Sequence, residues 1–183
     1  MMKGSKTERP VSREGRRLQD RYFVLFLCTG NSARSLLAEC LLAKHGGGRF
    51  GAFSAGSRPS GAPHPHALEL LTRKGHPTDQ LESKSWDKFA QSGAPTFDFV
   101  FTVCDGARDE SCPVWLGAPC RVHWGLADPV AWDGDEAQCR LAFERTDEEL
   151  ESRICRFVAL DFEKLEPEAL KRSLEELGKL GSG

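Results

Sequence analysis

The stretch from Tyr22 to Ser35, YFVLFLCTGNSARS, constrains the fold of this chain more than any other. Its first residues, Tyr22 to Leu27, form an apolar run that is typical of a strand buried on both faces, and a cysteine follows them directly. From Ser32 to His45 apolar residues recur at helical spacing until Gly46 ends the pattern. The stretch therefore predicts a strand, a tight turn and a helix whose unpaired N-terminal N–H groups can hold an anion.

Apolar runs of strand length alternate with amphipathic stretches along the rest of the chain. The further predicted strands are Phe50–Ser54, Phe97–Val103 and Arg121–Trp124. The further predicted helices are Pro65–Lys74, Glu136–Leu165 and Glu168–Leu177, with a helical turn at Ser85–Phe89. Because such alternation is typical of a parallel sheet, we predict an α/β fold: a single domain with an open parallel four-stranded sheet and helices on both faces.

Length and composition fit one domain rather than two. The chain has 183 residues, of which 28% are charged and 39% hydrophobic, as in an ordinary globular protein. Residues 1–20 carry basic and acidic side chains with hardly an apolar residue to bury, which predicts a disordered, mildly basic N-terminal tail. We expect the α/β domain over residues 21–166 and a C-terminal helix with a frayed end over residues 167–183.

Charge and cysteine content argue against several classes of function. A formal net charge of -2 gives no global field to recruit nucleic acid, and no apolar run reaches the about 18 residues of a membrane span. No apolar stretch near the N-terminus resembles a signal peptide, so we expect a cytoplasmic protein that acts without a membrane. The cysteines number seven and are irregularly spaced, which is typical of free thiols in a reducing compartment.

Three chemically active side chains lie just past the ends of predicted strands. Cys28 follows the first strand, Cys104 follows FDFVFTV, and Asp128 lies a few residues past RVHW. In an open parallel sheet, ligands bind beyond the carboxyl ends of the strands. The three placements together predict a site at this edge of the sheet that holds two thiols and a carboxylate.

The loop after Cys28 has the composition of an oxyanion site. Gly30 and its small neighbours let successive N–H groups converge, and Arg34 adds a planar, permanently charged fork. These donors are expected to lower the pKa of the Cys28 thiol, with Ser35 as a hydrogen-bond donor and Asn31 holding an unusual backbone conformation. The predicted substrate-binding residues are Thr29, Gly30, Asn31, Ser32, Ala33, Arg34 and Ser35.

Two sets of motifs carry a resemblance to a known family. The pattern CTGNSARS resembles the phosphate loop of protein tyrosine phosphatases, and its place early in a parallel α/β chain resembles their low-molecular-weight class. VCDGARDESCPVW, from Val103 to Trp115, and HWGLADP, from His123 to Pro129, are similar to the arsenate reductases built on that fold. The likeness runs from about Phe23 to about Leu165, and the chain is identified as a member of those arsenate reductases.

The resemblance implies an enzyme that reduces arsenate to arsenite in arsenic detoxification, through a cysteinyl-arsenate on the nucleophile Cys28. It implies four further roles: the oxyanion clamp for Arg34, the general acid for Asp128, the resolving thiol for Cys104 and the final relay thiol for Cys112. No cofactor is expected to stay bound. The implied partner is an external thiol reductant, either thioredoxin or glutathione with glutaredoxin. We expect a monomer, with residual phosphatase activity.

The resemblance also implies a potassium ion beside the loop. Oxygens for such an ion are available on Asn31, Glu39, Ser54 and Ser83. Lys84 stands where its ammonium can replace the ion. We therefore predict no bound metal.

Two other functions stay open on the sequence. A low-molecular-weight tyrosine phosphatase shares Cys28, Arg34 and Asp128, but its acid loop is expected to carry tyrosines, which HWGLADPVAW lacks. The other alternative is a non-enzymatic protein that binds zinc or arsenite through Cys104, Cys112, Cys120 and His123. That spacing differs from the short paired spacings of structural zinc sites, and it leaves CTGNSARS unexplained.

The remaining cysteines and histidines receive simpler interpretations. Helical or strand spacing predicts small core residues at Cys40, Cys120 and Cys155, and leaves Cys139 undecided. The histidines around the second predicted helix lack ligand-like spacing to a cysteine. We expect them at the surface: His64, His66 and His76.

Overall fold

The computed structural model describes residues 21–111, 113–115 and 117–181. Its strands are β1 (Tyr22–Cys28), β2 (Phe50–Gly56), β3 (Phe99–Thr102) and β4 (Cys120–His123). Its helices are α1 (Arg34–His45), α2 (Pro65–Arg73), α3 (Asp105–Asp109), α4 (Glu136–Val158) and α5 (Pro167–Gly178), with a 3₁₀ turn at Trp86–Phe89. The tail predicted at residues 1–20 and the thiol of Cys112 lie outside the described residues.

The four strands form one parallel sheet in the order β2-β1-β3-β4. Strand β1 lies in the interior of the sheet, and its residues Val24 to Leu27 are fully buried, as the unbroken apolar run predicts. The predicted open parallel four-stranded α/β fold is confirmed. No helix in the described part of the chain is both long and apolar enough to cross a membrane.

Aromatic rings pack β3 and the end of β4 against α4. The ring of Phe101 on β3 lies 4.1 Å from that of Trp124 and 5.3 Å from that of Phe157 on α4, measured between centroids. The indole N–H of Trp124 donates to the carbonyl of Leu174 on α5 at 2.9 Å. Helix α5 approaches so closely that a Cβ on Gly178 would lie 2.7 Å from the His123 carbonyl oxygen. The C-terminal helix is thus fastened to the end of β4.

Helix α4 ends at Val158, seven residues earlier than the predicted end at Leu165. The helix stops because the chain turns back over the start of β1, where the Phe162 ring packs 5.0 Å from that of Tyr22. Leu150, Ile154 and Phe157 form the buried stripe. Cys155 lies next to this stripe and is exposed, whereas the sequence predicted a core residue.

The other simple interpretations meet mixed outcomes. Cys40 is buried on α1 as predicted, whereas Cys120 is half-buried. His64 and His66 were expected at the surface, but both are half-buried, with ring centroids 4.9 Å and 5.5 Å from that of Phe143. Their position between α2 and α4 explains the difference, because α4 covers the start of α2.

His76 contradicts the surface expectation most clearly. Gly75 adopts a φ of 77° that turns the chain after α2, and it places the His76 side chain inside, only 7% exposed. In the described part of the chain, Nε2 of His76 has no hydrogen-bond partner. Burial, reinforced by the nearby ammonium of Lys44, lowers the pKa of His76, while the carboxylate of Asp147 opposes the shift. Its buried position therefore favours the neutral form of the ring.

The buried His76 predicts that the protein loses stability as the pH falls below about 6.5, the ordinary pKa of histidine. Below that pH the unfolded chain takes up a proton that the folded ring accepts only at lower pH, so the free energy of unfolding decreases as the pH falls. Urea denaturation at several pH values between about 5 and 7 measures this slope. In His76→Leu the slope should be smaller; an unchanged slope would show that other groups cause it.

Candidate active site

The oxyanion loop, which we define as Cys28–Ser35, joins the end of β1 to the first turn of α1. It lines a cavity of about 580 Å³ at the carboxyl edge of the sheet. The cavity also receives Cys104 from the end of β3 and Asp128 from the segment after β4. The structure thus brings four of the five predicted catalytic residues into one cavity, namely Cys28, Arg34, Cys104 and Asp128.

Asn31 holds the oxyanion loop in shape. Its φ of 45° is in the left-handed region, which asparagine tolerates better than most side chains. Its Nδ2 donates to Ser35 Oγ at 2.8 Å and to Ser54 Oγ at 2.9 Å, and its Oδ1 accepts from the Lys84 N–H at 2.8 Å. Asn31 is fully buried, so these bonds replace water and fix the loop against β2 and the segment before the 3₁₀ turn.

Gly56, the last residue of β2, is a site residue that the sequence interpretation missed. A Cβ at this position would lie 2.5 Å from the Thr29 carbonyl oxygen and 3.0 Å from the Asn31 backbone nitrogen. The predicted strand ended two residues too early, at Ser54, and so hid a glycine at the same edge as the loop. The oxyanion loop can lie this close to β2 only because position 56 has no side chain.

Gly56→Ala is therefore expected to weaken oxyanion binding by about tenfold or more, because the added methyl must push the loop out of shape. Titration with inorganic phosphate, followed by calorimetry, measures the affinity. Ser57→Ala is the matched control, since its buried hydroxyl has no hydrogen-bond partner among the described residues. Equal phosphate affinity in both variants would contradict the close packing of this loop.

The Cys28 thiol is buried, with 3% of the residue exposed. Its sulfur lies 2.9 Å from Ser35 Oγ and accepts the Asn31 backbone N–H at 3.1 Å. Burial raises the pKa of Cys28, and these hydrogen bonds lower it by less, so the predicted lowering is wrong for this structure. Burial therefore favours the protonated thiol, and we expect its proton to leave as the sulfur reacts.

Arg34 ties the oxyanion loop to the segment that carries Asp128. Its Nη2 forms an ion pair with Asp128 Oδ2 at 2.9 Å, and its Nη1 donates to the Leu126 carbonyl at 3.1 Å. The second carboxylate oxygen of Asp128 accepts the Val130 N–H at 3.1 Å, which forms a turn through the Asp-Pro step. Both partners border the cavity, so a guanidinium fork and a carboxyl group face the position of a bound oxyanion.

Cys104 lies at the strand end next to that of Cys28, because β1 and β3 pair directly. The residue is buried; its sulfur accepts the Ala107 N–H at 3.4 Å at the start of α3 and lies 3.5 Å from Thr29 Oγ1. Gly106, a second missed residue, lets α3 rest on the oxyanion loop, since a Cβ there would be 2.7 Å from Thr29 Oγ1. The thiol of Cys104 therefore contacts Thr29, the residue that directly follows the nucleophile Cys28.

Of the four side chains of the alternative zinc or arsenite site, Cys112 lies outside the described residues, and Cys104, Cys120 and His123 do not form a metal-binding group. Cys120 and His123 lie at opposite ends of β4, which separates their Cα atoms by about 10 Å. His123 instead contacts Thr102 Oγ1 at 2.8 Å and Asp105 Oδ1 at 3.1 Å. Among the described residues no group of three or more His, Cys, Asp or Glu side chains is placed to hold a metal ion.

The oxygens proposed for a potassium ion form hydrogen bonds with one another and with Lys84. The Lys84 ammonium lies 3.4 Å from Glu39 Oε2, and the same carboxylate accepts the Ser54 hydroxyl. Ser83 Oγ donates to a carbonyl of the oxyanion loop at 2.9 Å. An unbroken series of contacts thus leads from Lys84 through Glu39, Ser54 and Asn31 to Ser35, the hydrogen-bond partner of the nucleophile.

Comparison with known proteins agrees with this geometry. The model of the low molecular weight phosphotyrosine protein phosphatase family matches residues 23–174. The chain is 35% identical to the arsenate reductase of Bacillus licheniformis, over 73% of this chain and 93% of that protein. An arsenate reductase structure from Archaeoglobus fulgidus matches with a TM-score of 0.59 and 26% identity, over 75% of this chain and 99% of that one. A thioredoxin-dependent arsenate reductase structure from Corynebacterium glutamicum matches with a TM-score of 0.52 and 25% identity, over 75% of this chain and 62% of that one.

Proposed function

Because this chain belongs to the low molecular weight phosphotyrosine protein phosphatase family and to the arsenate reductases within it, we propose that it reduces arsenate to arsenite with its own thiols. The observation that carries the proposal is the position of Cys104. A hydrolytic phosphatase needs only water to release its cysteinyl intermediate, whereas this cavity presents a second buried thiol beside Cys28. A thiol in that position is suited to attack sulfur rather than to bind phosphate.

In the first step the oxyanion loop and Arg34 bind arsenate, and the sulfur of Cys28 attacks arsenic. A sulfur–arsenic bond forms as an arsenic–oxygen bond breaks, and the leaving oxygen takes a proton from Asp128 and departs as water. The proton of Cys28 passes to the oxyanion or to solvent. Arg34 serves both partners, since the guanidinium that holds Asp128 at 2.9 Å also faces the oxyanion.

In the second step Cys104 attacks the sulfur of Cys28. The electron pair of the sulfur–arsenic bond stays with arsenic, which leaves as arsenite, the proton of Cys104 passes to arsenite or to solvent, and the sulfurs of Cys28 and Cys104 form a disulfide. The electrons balance, because arsenic gains two and the cysteine pair loses two. Because β1 pairs directly with β3, the two cysteines follow adjacent strand ends, which supports a disulfide between them.

In the third step Cys112 attacks Cys104 and restores Cys28, and an external thiol reductant, thioredoxin or glutathione with glutaredoxin, reduces the second disulfide. Eight steps of regular helix would separate the Cα atoms of Cys104 and Cys112 by about 12 Å, too far for a disulfide. Helix α3 ends at Asp109, and Glu110 has a ψ of 149°, so the chain already leaves the helix before Cys112. Because the relay starts from free thiols, we place it in a reducing compartment such as the cytoplasm.

Asp128→Asn is expected to slow formation of the cysteinyl-arsenate by about 100-fold or more, because the leaving oxygen then lacks its proton donor. Oxyanion affinity should change much less, since the proton is needed mainly in the transition state. Single-turnover kinetics and phosphate titration measure the two effects separately. Asp133→Asn, an exposed position five residues away, is the control and should behave as wild type. An unchanged single-turnover rate in Asp128→Asn would require another acid, with Asp105 next to be tested.

The proposed function is tested by arsenate-dependent consumption of reducing equivalents. One reaction supplies thioredoxin with its reductase, a second supplies glutathione with glutaredoxin, and a third measures hydrolysis of an aryl phosphate. We expect multiple turnovers of arsenate with one of the two reductants, and slow phosphate-ester hydrolysis. Efficient hydrolysis with no arsenate-dependent consumption in either reductant system would assign the protein to the phosphatases instead.

A further inference from the structure

Arg153 carries a charged side chain that is fully buried, and none of the proposed steps uses it. It is on the inner face of α4 and is 0% exposed. Its Nη2 lies 3.6 Å from Oε2 of Glu149, one turn earlier on the same helix. Burying a guanidinium is costly unless its donors are satisfied, and burial lowers the pKa of Arg153. The free-energy cost of burying this charge calls for an explanation from the contacts that Arg153 makes.

The donors of Arg153 reach two backbone carbonyls that are distant in sequence. Its Nη1 donates to the carbonyl of Gly125 at 3.2 Å. Its Nε and Nη2 donate to the carbonyl of Leu180 at 3.1 Å and 2.7 Å. The side chain therefore connects the segment after β4 with the chain end that follows α5.

The carbonyl of Gly125 belongs to the segment Trp124–Asp128, which we call the acid loop. The carbonyl of the next residue, Leu126, accepts Nη1 of Arg34 at 3.1 Å. Two guanidinium groups thus hold successive carbonyls of the acid loop, Arg34 from the cavity and Arg153 from the interior of the protein. Together they fix the peptide units that lead to the carboxyl group of Asp128.

We propose that Arg153 is a positioning residue for the general acid: it fixes the Gly125 carbonyl and so keeps Asp128 in reach of the leaving oxygen. The far end of its fork is anchored on Leu180, and the start of the acid loop is anchored on α5 through the bond from Trp124 to Leu174. The inference deepens the proposed function, because it concerns the proton transfer of the first step. It assigns Arg153 no contact with the substrate.

Arg153→Lys tests the proposal, because an ammonium cannot span both carbonyls as the planar fork does. We expect the single-turnover rate of cysteinyl-arsenate formation to fall by about tenfold or more, as small misplacements of a catalytic group do. Phosphate affinity should change by less than about threefold, since the oxyanion loop is not held by Arg153. Arg156→Lys, an exposed position on the same helix, is the matched control and should leave both quantities unchanged.

A double-mutant cycle separates positioning of the acid from a merely structural role. If Arg153 acts through Asp128, then adding Arg153→Lys to Asp128→Asn should cause little further loss of the single-turnover rate. Losses that multiply in the double variant, or an equal loss of phosphate affinity, would overturn the inference. If Arg153→Lys is too unstable to purify, Arg153→Gln replaces it in the same cycle. The glutamine side chain buries no charge and keeps two N–H donors.

The failure of this inference can be distinguished from failure of the proposed function. If the wild-type protein forms no cysteinyl-arsenate, the proposed reduction fails, and the cycle is measured instead on hydrolysis of phenyl phosphate, whose poor leaving group needs a proton. A cycle that shows coupling with phenyl phosphate supports Arg153 as a positioning residue. A multiplicative cycle in either reaction contradicts it.

Discussion

Replacing the nucleophile by serine, in Cys28→Ser, should reduce arsenate turnover by about 10⁴-fold or more. The sulfur of Cys28 forms the bond to arsenic and later half of the first disulfide, and a serine hydroxyl is far harder to ionise and cannot form a disulfide. The fold should persist, because serine is close in size to cysteine and its oxygen can keep the contacts to Ser35 and to the Asn31 N–H. Phosphate titration is therefore expected to show an intact oxyanion loop.

Cys40→Ser is the matched control for that variant. Cys40 is also a buried cysteine, on the apolar face of α1, and it does not line the cavity. Burial, and next the carboxylate of Glu39, raise the pKa of Cys40 to about 12, so the thiol stays protonated. Near wild-type turnover is expected in Cys40→Ser. Substantial arsenate reduction by Cys28→Ser would refute the assignment of the nucleophile.

Replacing the second thiol, in Cys104→Ser, should allow cysteinyl-arsenate to form and then stop the reaction. The sulfur of Cys104 lies 3.5 Å from Oγ1 of Thr29, the residue next to Cys28. Among the described cysteines, only Cys28 and Cys104 line the cavity, so no other described thiol is placed to release arsenite. Steady-state reduction should be lost by about 10³-fold or more, while the rate of the first chemical step stays within a few-fold of wild type. Rapid-quench measurement of arsenite release checks the expectation.

Cys120→Ser is the control for the second thiol, because Cys120 is half-buried at the opposite end of β4 from the cavity. It is expected to release arsenite at the wild-type rate. Normal multiple turnover by Cys104→Ser would mean that an external thiol attacks the intermediate directly. In that case the buried Cys104 would serve only to cap α3 through the Ala107 N–H.

The local part of the fold and of the site could be predicted from sequence. The apolar run of β1, the small residues after Cys28 and the stop at Gly46 act over a few neighbouring residues, so they indicate strand, loop and helix directly. The rule that ligands bind past the carboxyl ends of parallel strands then placed Cys104 and Asp128 beside Cys28, although each lies far away in the sequence.

Features that depend on tertiary burial could not be predicted. The direction of the Cys28 pKa follows from how deeply α3 and β2 bury the loop, and α4 ends early because Phe162 packs on β1. In the sequence, Arg153 looks like a surface residue of a charged helix. Its partners, Gly125 and Leu180, lie 28 and 27 residues away, and no local sequence pattern predicts these contacts. The sequence therefore predicts burial where a local apolar pattern marks it, as in β1, and misses burial that depends on contacts between distant segments.

The most direct test of the thiol mechanism is peptide mapping of Cys112→Ser after treatment with a several-fold excess of arsenate over enzyme. This variant keeps Cys28 and Cys104 but lacks the final relay thiol, so we expect it to release about one equivalent of arsenite and to stall. Digestion under non-reducing conditions should then yield one linked pair of peptides, joined by a disulfide between Cys28 and Cys104. Recovery of both cysteines as free thiols after arsenite release, or full multiple turnover by this variant, would contradict the intramolecular relay.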